Sequence, residues 1–338
     1  MANITIKDIA RKCNVAISTV SRAINNHPDI NQETKQLILN VIKEMNYVPN
    51  NSARYLGASN FNAICVLVKG LGNHFFSEMI QEIEKACFAK NYSCIIQHVD
   101  EHEDELDAAI MVAKEKRLKG IVFLGGSSVY PRLKLAQLNI PFVLSSVRSL
   151  DQKVASVSVD DELESYLMTK YLLENQHQRI AMILGNLEEI SISKLRISGY
   201  RKALNEFNIQ YDPNLIIRMG ADDRYNYETG YRLTNLLLKQ TEFSAIFSTS
   251  DEIALGAIRC LYDHHIQVPQ DVSVCGFDGI EIGNYTIPKI TTVKQPTKQM
   301  GEETMKLLFA MIEEKQSAKQ VLLKGELLIR ESTSERKK

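Results

Sequence analysis

Ile6-Lys7-Asp8-Ile9-Ala10-Arg11-Lys12-Cys13-Asn14-Val15-Ala16-Ile17-Ser18-Thr19-Val20-Ser21-Arg22-Ala23-Ile24-Asn25 is the stretch that decides how this chain begins. Ile6, Ile9, Ala10 and Cys13 recur at i, i+3, i+4 and i+7, which is one face of a helix. Asn14 follows, a residue that accepts the left-handed backbone of a tight turn. A second short helix is predicted over about residues 17–25, with Val20 and Ile24 turned inward. A third, over about residues 32–45, is expected to bury Leu37, Ile38, Val41, Ile42 and Met45. Two short helices about a three- or four-residue turn, braced by a third, make a helix-turn-helix.

Outward from this unit the pattern changes twice. Pro49-Asn50-Asn51 breaks the chain, residues 52–56 have the length of one or two helical turns, and Gly57-Ala58-Ser59-Asn60 reads as a link. From Ala63 the chain alternates strands and helices. Residues 63–68 form a continuous apolar run, as in a parallel strand covered on both faces. Helix, strand, helix and strand follow over residues 75–90, 93–99, 106–116 and 120–123. The rhythm resumes after residues 156–159 and runs to a strand at 272–277. Such alternation means a doubly wound α/β fold, and about 270 residues of it imply two lobes. The acidic run at residues 100–107 reads as a solvated helix start.

The 338 residues exceed what one compact core accommodates. No apolar run approaches the ~20 residues that span a bilayer, so no membrane partner is expected. Met1–Asp8 has no apolar signal core. The six cysteines are scattered without a CxxC pair, which points to reduced thiols and a cytoplasmic location. The first 58 residues hold seven Lys/Arg and four Asp/Glu, a surplus of three positive charges. The whole chain carries −1, so the remainder carries −4. A basic head on an acidic body suits a head that meets a polyanion.

Thr5-Ile6-Lys7-Asp8-Ile9-Ala10 and Ser18-Thr19-Val20-Ser21-Arg22-Ala23-Ile24-Asn25 resemble the lactose-repressor/galactose-repressor family of bacterial regulators. The resemblance continues in order through Tyr47-Val48-Pro49-Asn50, Ala53-Arg54-Tyr55-Leu56, Asn73-His74-Phe75-Phe76 and Arg196-Ile197-Ser198-Gly199-Tyr200. It extends to Ser250-Asp251, to residues 268–278 and to Thr291-Thr292-Val293-Lys294-Gln295-Pro296. It implies an all-α helix-turn-helix headpiece at 1–48, a hinge helix and linker at 49–60, and a two-lobed, periplasmic-binding-protein-like α/β body at 61–338. The lobes are expected to interleave, as 61–160 plus 292–318 and 161–291 plus 319–332. Four positions depart from the family pattern: Asn14 for Gly, Ala16 for Ser, Lys69-Gly70-Leu71-Gly72 for an Asp-containing stretch, and Ser146 for an acid.

A helix fits the major groove and its early residues reach the base edges. With Val20 and Ile24 inward, Ile17, Ser18 and Arg22 face out. Arg22 suits guanine O6 and N7, Ile17 a thymine methyl, and Ser18 a donor or acceptor; the resemblance marks the same three as base-reading. Thr19, Ser21 and Asn25 suit phosphates or capping, and Thr5 and Asn50 complete the candidate set. Leu56, apolar in a basic linker, is expected to wedge into the minor groove beside Ala53 and Arg54.

The resemblance places a small effector, expected to be a sugar or sugar-like metabolite, between the lobes. Phe75 and Phe76 are candidates for an aromatic wall. Arg196 is a candidate clamp for hydroxyls or a carboxylate, Asp251 and Asp278 are candidate acceptors, and Gln295 sits at a lobe crossover.

Gly70-Leu71-Gly72 lacks the third glycine of a dinucleotide fingerprint, and no nucleophile elbow or Walker pattern is present. His98 and His102 are four apart, but Glu101 and Asp104 beside them read as a solvated face. No enzyme, metal or cofactor is expected. The expected function is a DNA-binding repressor acting as a homodimer on a near-palindromic operator. The polar tail at 331–338 has no leucine heptads to build a tetramer. A regulator controlled by a phosphocarrier protein, a sugar or nucleotide enzyme of the same fold, and a transport binding protein are the rival readings.

Overall fold

Helix α1 (Ile6–Lys12) starts at a reciprocal cap. The Thr5 N–H and hydroxyl both donate to the Asp8 carboxylate, at 2.9 and 2.6 Å. It ends at Asn14, which takes φ +53°. There the Val15 N–H donates to the Ala10 carbonyl at 3.0 Å, which satisfies a helix-end carbonyl and reverses the chain into α2 (Ile17–Ile24). Asn31 starts α3 (Gln32–Glu44) by accepting the Glu33 N–H at 2.8 Å. Ile9, Ala10, Cys13, Val20, Ala23, Ile38 and Val41 close one small core, and Lys12 pairs with Glu44 at 2.8 Å across α1 and α3. Leu37 corrects the sequence reading: it is 50% exposed. It lies roughly 100° around the helix from Ile38, so both cannot point at one narrow core. This computed structural model describes residues 4–24, 27, 29–45, 47, 62–70, 74–100, 103–185, 192–220 and 222–336. Asn25 and the expected hinge contacts Asn50, Ala53, Arg54 and Leu56 lie outside them.

Residues 62–338 form a second compact unit, separate from 1–61. Its first sheet holds β1 (Ala63–Lys69), β2 (Ser93–Val99), β3 (Gly120–Leu124), β4 (Phe142–Ser145), β5 (Ala155–Val159) and β11 (Gln320–Leu323). Their order is β11-β5-β4-β3-β1-β2, all parallel. The second holds β6 (Ile180–Leu184), β7 (Ile216–Arg218), β8 (Ala245–Ser248), β9 (Ser273–Asp278), β10 (Thr291–Lys294) and β12 (Glu326–Leu328). Their order is β12-β10-β9-β8-β6-β7, with only β12 antiparallel. Helices α4 (Phe76–Ala89), α5 (Glu105–Lys116), α6 (Arg132–Leu135) and α11 (Thr297–Glu313) accompany the first sheet. Helices α7 (Asp161–Glu174), α8 (Ile192–Glu206), α9 (Tyr227–Gln240) and α10 (Asp251–Asp263) accompany the second.

Both faces of the inner strands are covered, as their apolar runs require, while the edge strands β2, β7, β11 and β12 are partly exposed. Along β6, Ile180, Met182 and Leu184 enter one buried cluster while Ala181 and Ile183 enter another. On α9 and α10 two glycines permit a very close approach. A Cβ on Gly256 would stand 2.0 Å from the Tyr227 carbonyl oxygen, and one on Gly230 2.2 Å from that of Ile253.

The lobes interleave, at boundaries slightly different from those read in the sequence. β10 pairs with β9, so the chain leaves the second sheet after Lys294, at Gln295-Pro296, rather than at 291. β11 pairs with β5, so it stays with the first sheet to Leu323 rather than leaving at 318. A four-residue strand assigned by its partner has no local signal that ties it to one sheet over the other. The third crossing, at Asp160, joins β5 to α7.

Candidate DNA-reading face and effector cleft

Helix α2 sorts its residues as a reading helix must. Val20 and Ala23 are buried, while Ile17, Ser18 and Arg22 are exposed along one side. Thr19 and Ser21 are half-buried at its flanks. Arg22 is not unpartnered: its Nη1 lies 3.4 Å from Asp29 Oδ2, in a pair that is more than half exposed on both sides. His27 also sits on Asp29, with Nδ1 2.6 Å from Oδ1. That hydrogen bond, more than the Arg22 charge, holds the Asp29 carboxyl below its ordinary value. Thr5 differs from its expected use. Its hydroxyl proton goes to Asp8, so the side chain caps α1 and has no donor left for a phosphate.

In the body the carboxyl ends of the two sheets' strands face each other. His74, just before α4, places Nδ1 2.7 Å from Oε1 of Glu252, on the first turn of α10. Arg224, after β7, donates to Asp100, after β2, at 3.1 Å. Each sheet also has a point where chain connections run to opposite sides, the crevice where open α/β sheets take ligands. In the first sheet β1 lies between β2 and β3. In the second β6 lies between β7 and β8.

Arg196, on α8 behind β6, occupies the second crevice. Its Nε and Nη2 reach Asp161 Oδ1 at 2.9 and 2.8 Å, and Nη1 donates to the Thr249 carbonyl at 2.5 Å. Its guanidinium carbon lies 3.5 Å from the centre of the Phe277 ring. Side-chain exposure is 5% for Arg196 and 1% for Asp161. Asp278 follows Phe277 with φ +114°, a backbone that side-chain-bearing residues rarely adopt and that collects at ligand clamps. Gln295 donates from Nε2 to Asp278 Oδ1 at 2.8 Å and from its N–H to the Asp278 carbonyl at 3.1 Å. Burial pushes the Asp278 carboxyl well above its ordinary value, against the pull of Arg196.

Three sequence candidates are placed differently from the expectation. Asp251 is wholly buried and accepts the Ile280 N–H at 2.8 Å, so it props the loop that follows Asp278. Phe75 and Phe76 are each 6% exposed, 5.3 Å apart, and belong to the buried core beneath the first crevice rather than to an open wall. An aromatic pair at a helix start packs inward when the preceding strand end leaves it beside the sheet. The acidic run is also not wholly solvated: Glu105 is buried and paired with Lys69 at 2.7 Å. Sequence reasoning noted Lys69 and Phe277 only as part of matched or departing stretches and gave no role to either, nor to Glu105 or Asp161. Glu105 lies 36 residues from Lys69 and Asp161 35 from Arg196, and no spacing rule links them.

A family model for bacterial regulatory proteins of the lacI family matches residues 5–50, and one for a periplasmic binding protein-like domain matches residues 169–333. Over 334 residues the chain is 42% identical to the HTH-type transcriptional regulator MalR of Clostridium butyricum, across 97% of this chain and 98% of that protein. The chain belongs to the lacI family. Its architecture is that of lacI-family structures. The lac repressor bound to ONPG in its repressed state aligns with TM-score 0.78 at 25% identity, over 98% of this chain and 100% of that one. The regulator CelR in complex with cellobiose aligns with TM-score 0.73 at 25% identity, over 97% and 99%. As a lacI-family member it is a DNA-binding transcriptional regulator and not an enzyme. Among the described residues no helix is long and apolar enough to cross a membrane.

Proposed function

We propose that this lacI-family protein is a dimeric repressor whose operator affinity is set by a carbohydrate held between its lobes. Ile17, Ser18 and Arg22 read base edges in each half of a near-palindrome, with Thr19 and Ser21 beside the phosphates. Asn25, Asn50, Ala53, Arg54 and Leu56 are assigned to the DNA on the sequence resemblance alone. The observation that carries the effector reading is Arg196. It stands at the second crevice, fixed by Asp161, Thr249 and Phe277, next to the strained Asp278. A hydroxyl pair on a sugar matches such an oriented donor fork and a neighbouring carboxyl. Gln295 and Asp251 hold Asp278 and its loop in place. Dimerisation through the body is supported by Ile282, Tyr285 and Ile287, which are 49%, 77% and 95% exposed on one segment after β9. A regulator of chromosomal DNA works in the cytoplasm.

The test is fluorescence anisotropy of a palindromic operator library. One complex of two chains per duplex, steep salt dependence and a shift in affinity on adding a sugar are expected. A sugar must bind the two body conformations unequally to move that affinity. Binding that is indifferent to sequence, or to every sugar tried, contradicts the proposal.

A further inference from the structure

The first lobe has its own counterpart of Arg196. Lys69 ends β1 at the first sheet's crevice, as Arg196 stands at the second's. Its ammonium donates to Glu105 Oε2 at 2.7 Å. The other carboxylate oxygen accepts from the Tyr130 hydroxyl at 2.8 Å and the Ser127 N–H at 2.9 Å. Gly126, at φ +101°, makes room for this network: a Cβ there would stand 2.8 Å from both Glu105 Oε1 and the Tyr130 oxygen. The Glu105 side chain is 6% exposed, while Lys69 remains 25% exposed. An ammonium has three N–H donors, and among the described residues Glu105 accepts one of them.

Among the described residues, Lys69 and Arg196, the cations placed at the two crevices, are thus each already matched by a carboxylate of their own lobe, Glu105 and Asp161. We propose that Lys69, presented by Glu105 and Tyr130, is the first lobe's effector-reading group, and that the effector is an uncharged polyhydroxylated molecule rather than a phosphorylated one. This rests on the carbohydrate reading above and narrows it. A phosphate would need uncompensated positive charge in the desolvated crevice, whereas hydroxyls need oriented donors and acceptors without net charge. Burial pushes the Glu105 carboxyl up, but the Lys69 hydrogen bond and charge outweigh it and hold it below its ordinary value. Burial pushes the Asp278 carboxyl well above its ordinary value, which disfavours its charged form. Arg148, exposed on the loop after β4 at the carboxyl end of the first sheet, is one candidate to meet an anion at the rim.

The experiment uses the full-length protein and calorimetric titration with glucose, ribose, maltose and cellobiose beside glucose 6-phosphate and ribose 5-phosphate. The variant is Lys69→Met with Glu105→Gln, which removes both charges together and so avoids an unpaired buried carboxylate. A neutral sugar should bind the wild type and lose at least about tenfold in affinity in the double variant, at a nearly unchanged urea midpoint. Equal affinity in both proteins overturns the role of Lys69 and leaves the carbohydrate reading standing. Preference for a sugar phosphate overturns the charge argument, and its loss in Arg148→Ala would locate the anion at the rim. Binding of no sugar of either kind overturns the carbohydrate reading itself.

Discussion

Two arginines with carboxylate partners divide this molecule's labour. In the headpiece Arg22 faces Asp29 at 3.4 Å with both side chains more than half exposed. In the body Arg196 grips Asp161 at 2.8 Å with almost none of either exposed. Water screens the first pair, so breaking it costs little, as the proposed exchange of Asp29 for a base edge requires. Nothing screens the second, so it is a fixed part of the wall. A residue that must change partners belongs at the surface, and one that must hold its geometry belongs inside. The acids follow the same division. Asp29 sits below its ordinary value through its hydrogen bond from His27, whereas burial pushes Asp251 up to about 7.

The sharpest way to break this comparison is to remove Arg196. Arg196→Ala leaves Asp161 buried without its partner and should cost about 3–5 kcal/mol, read as a lower urea midpoint. Arg196→Met with Asp161→Asn should recover most of that loss while the effector response stays absent. An unmoved midpoint in Arg196→Ala would mean that the wall does not depend on the pair.

Asp251 gives the next largest effect. Its folded value of about 7 lies above the ordinary 3.8. Between those values the folded protein holds a proton that the unfolded chain has released, so stability falls as pH rises through the window. From pH 5 to 7 the wild type should lose roughly 2–3 kcal/mol more than Asp251→Asn. Parallel urea midpoints of the two proteins over that range would contradict it.

Arg22→Ala should cost about 1–3 kcal/mol at one base position and relax specificity there, without reducing the salt slope by much. Competition with single-base operator variants separates this from a general loss of phosphate contact. The smallest effect belongs to Asp29→Asn. Freed from its surface partner, Arg22 should bind DNA about two- to threefold more tightly. Weaker binding would mean that Asp29 orients Arg22 rather than competes for it.

The parts legible in the sequence are those whose signals are local. The Ile6, Ile9, Ala10, Cys13 spacing and the tolerance of Asn14 for a left-handed backbone describe α1 and its turn, and the outward placement of Ile17, Ser18 and Arg22 follows from the inward turn of Val20 and Ile24. What was missed is held together at a distance. β11 is a strand of the first sheet because β5 lies beside it, some 160 residues earlier. Glu105 looked solvated among acidic neighbours because its partners Lys69 and Tyr130 come from other strand ends. Leu37 looked buried because periodicity counts apolar residues without knowing how narrow the facing core is.

The interleaving of the two sheets also orders the protein's birth on the ribosome. The headpiece closes its core with contacts inside the first 47 residues and can fold as soon as it emerges. The body cannot finish until later: β11 at residues 320–323 and β12 at 326–328 are edge strands of different sheets, and both emerge after every other strand of the body. Until then the first sheet exposes β5 and the second exposes β10 as open edges, which invite pairing with other chains. A chain stopped before residue 320 therefore carries a complete headpiece core on a body that lacks one edge strand from each sheet.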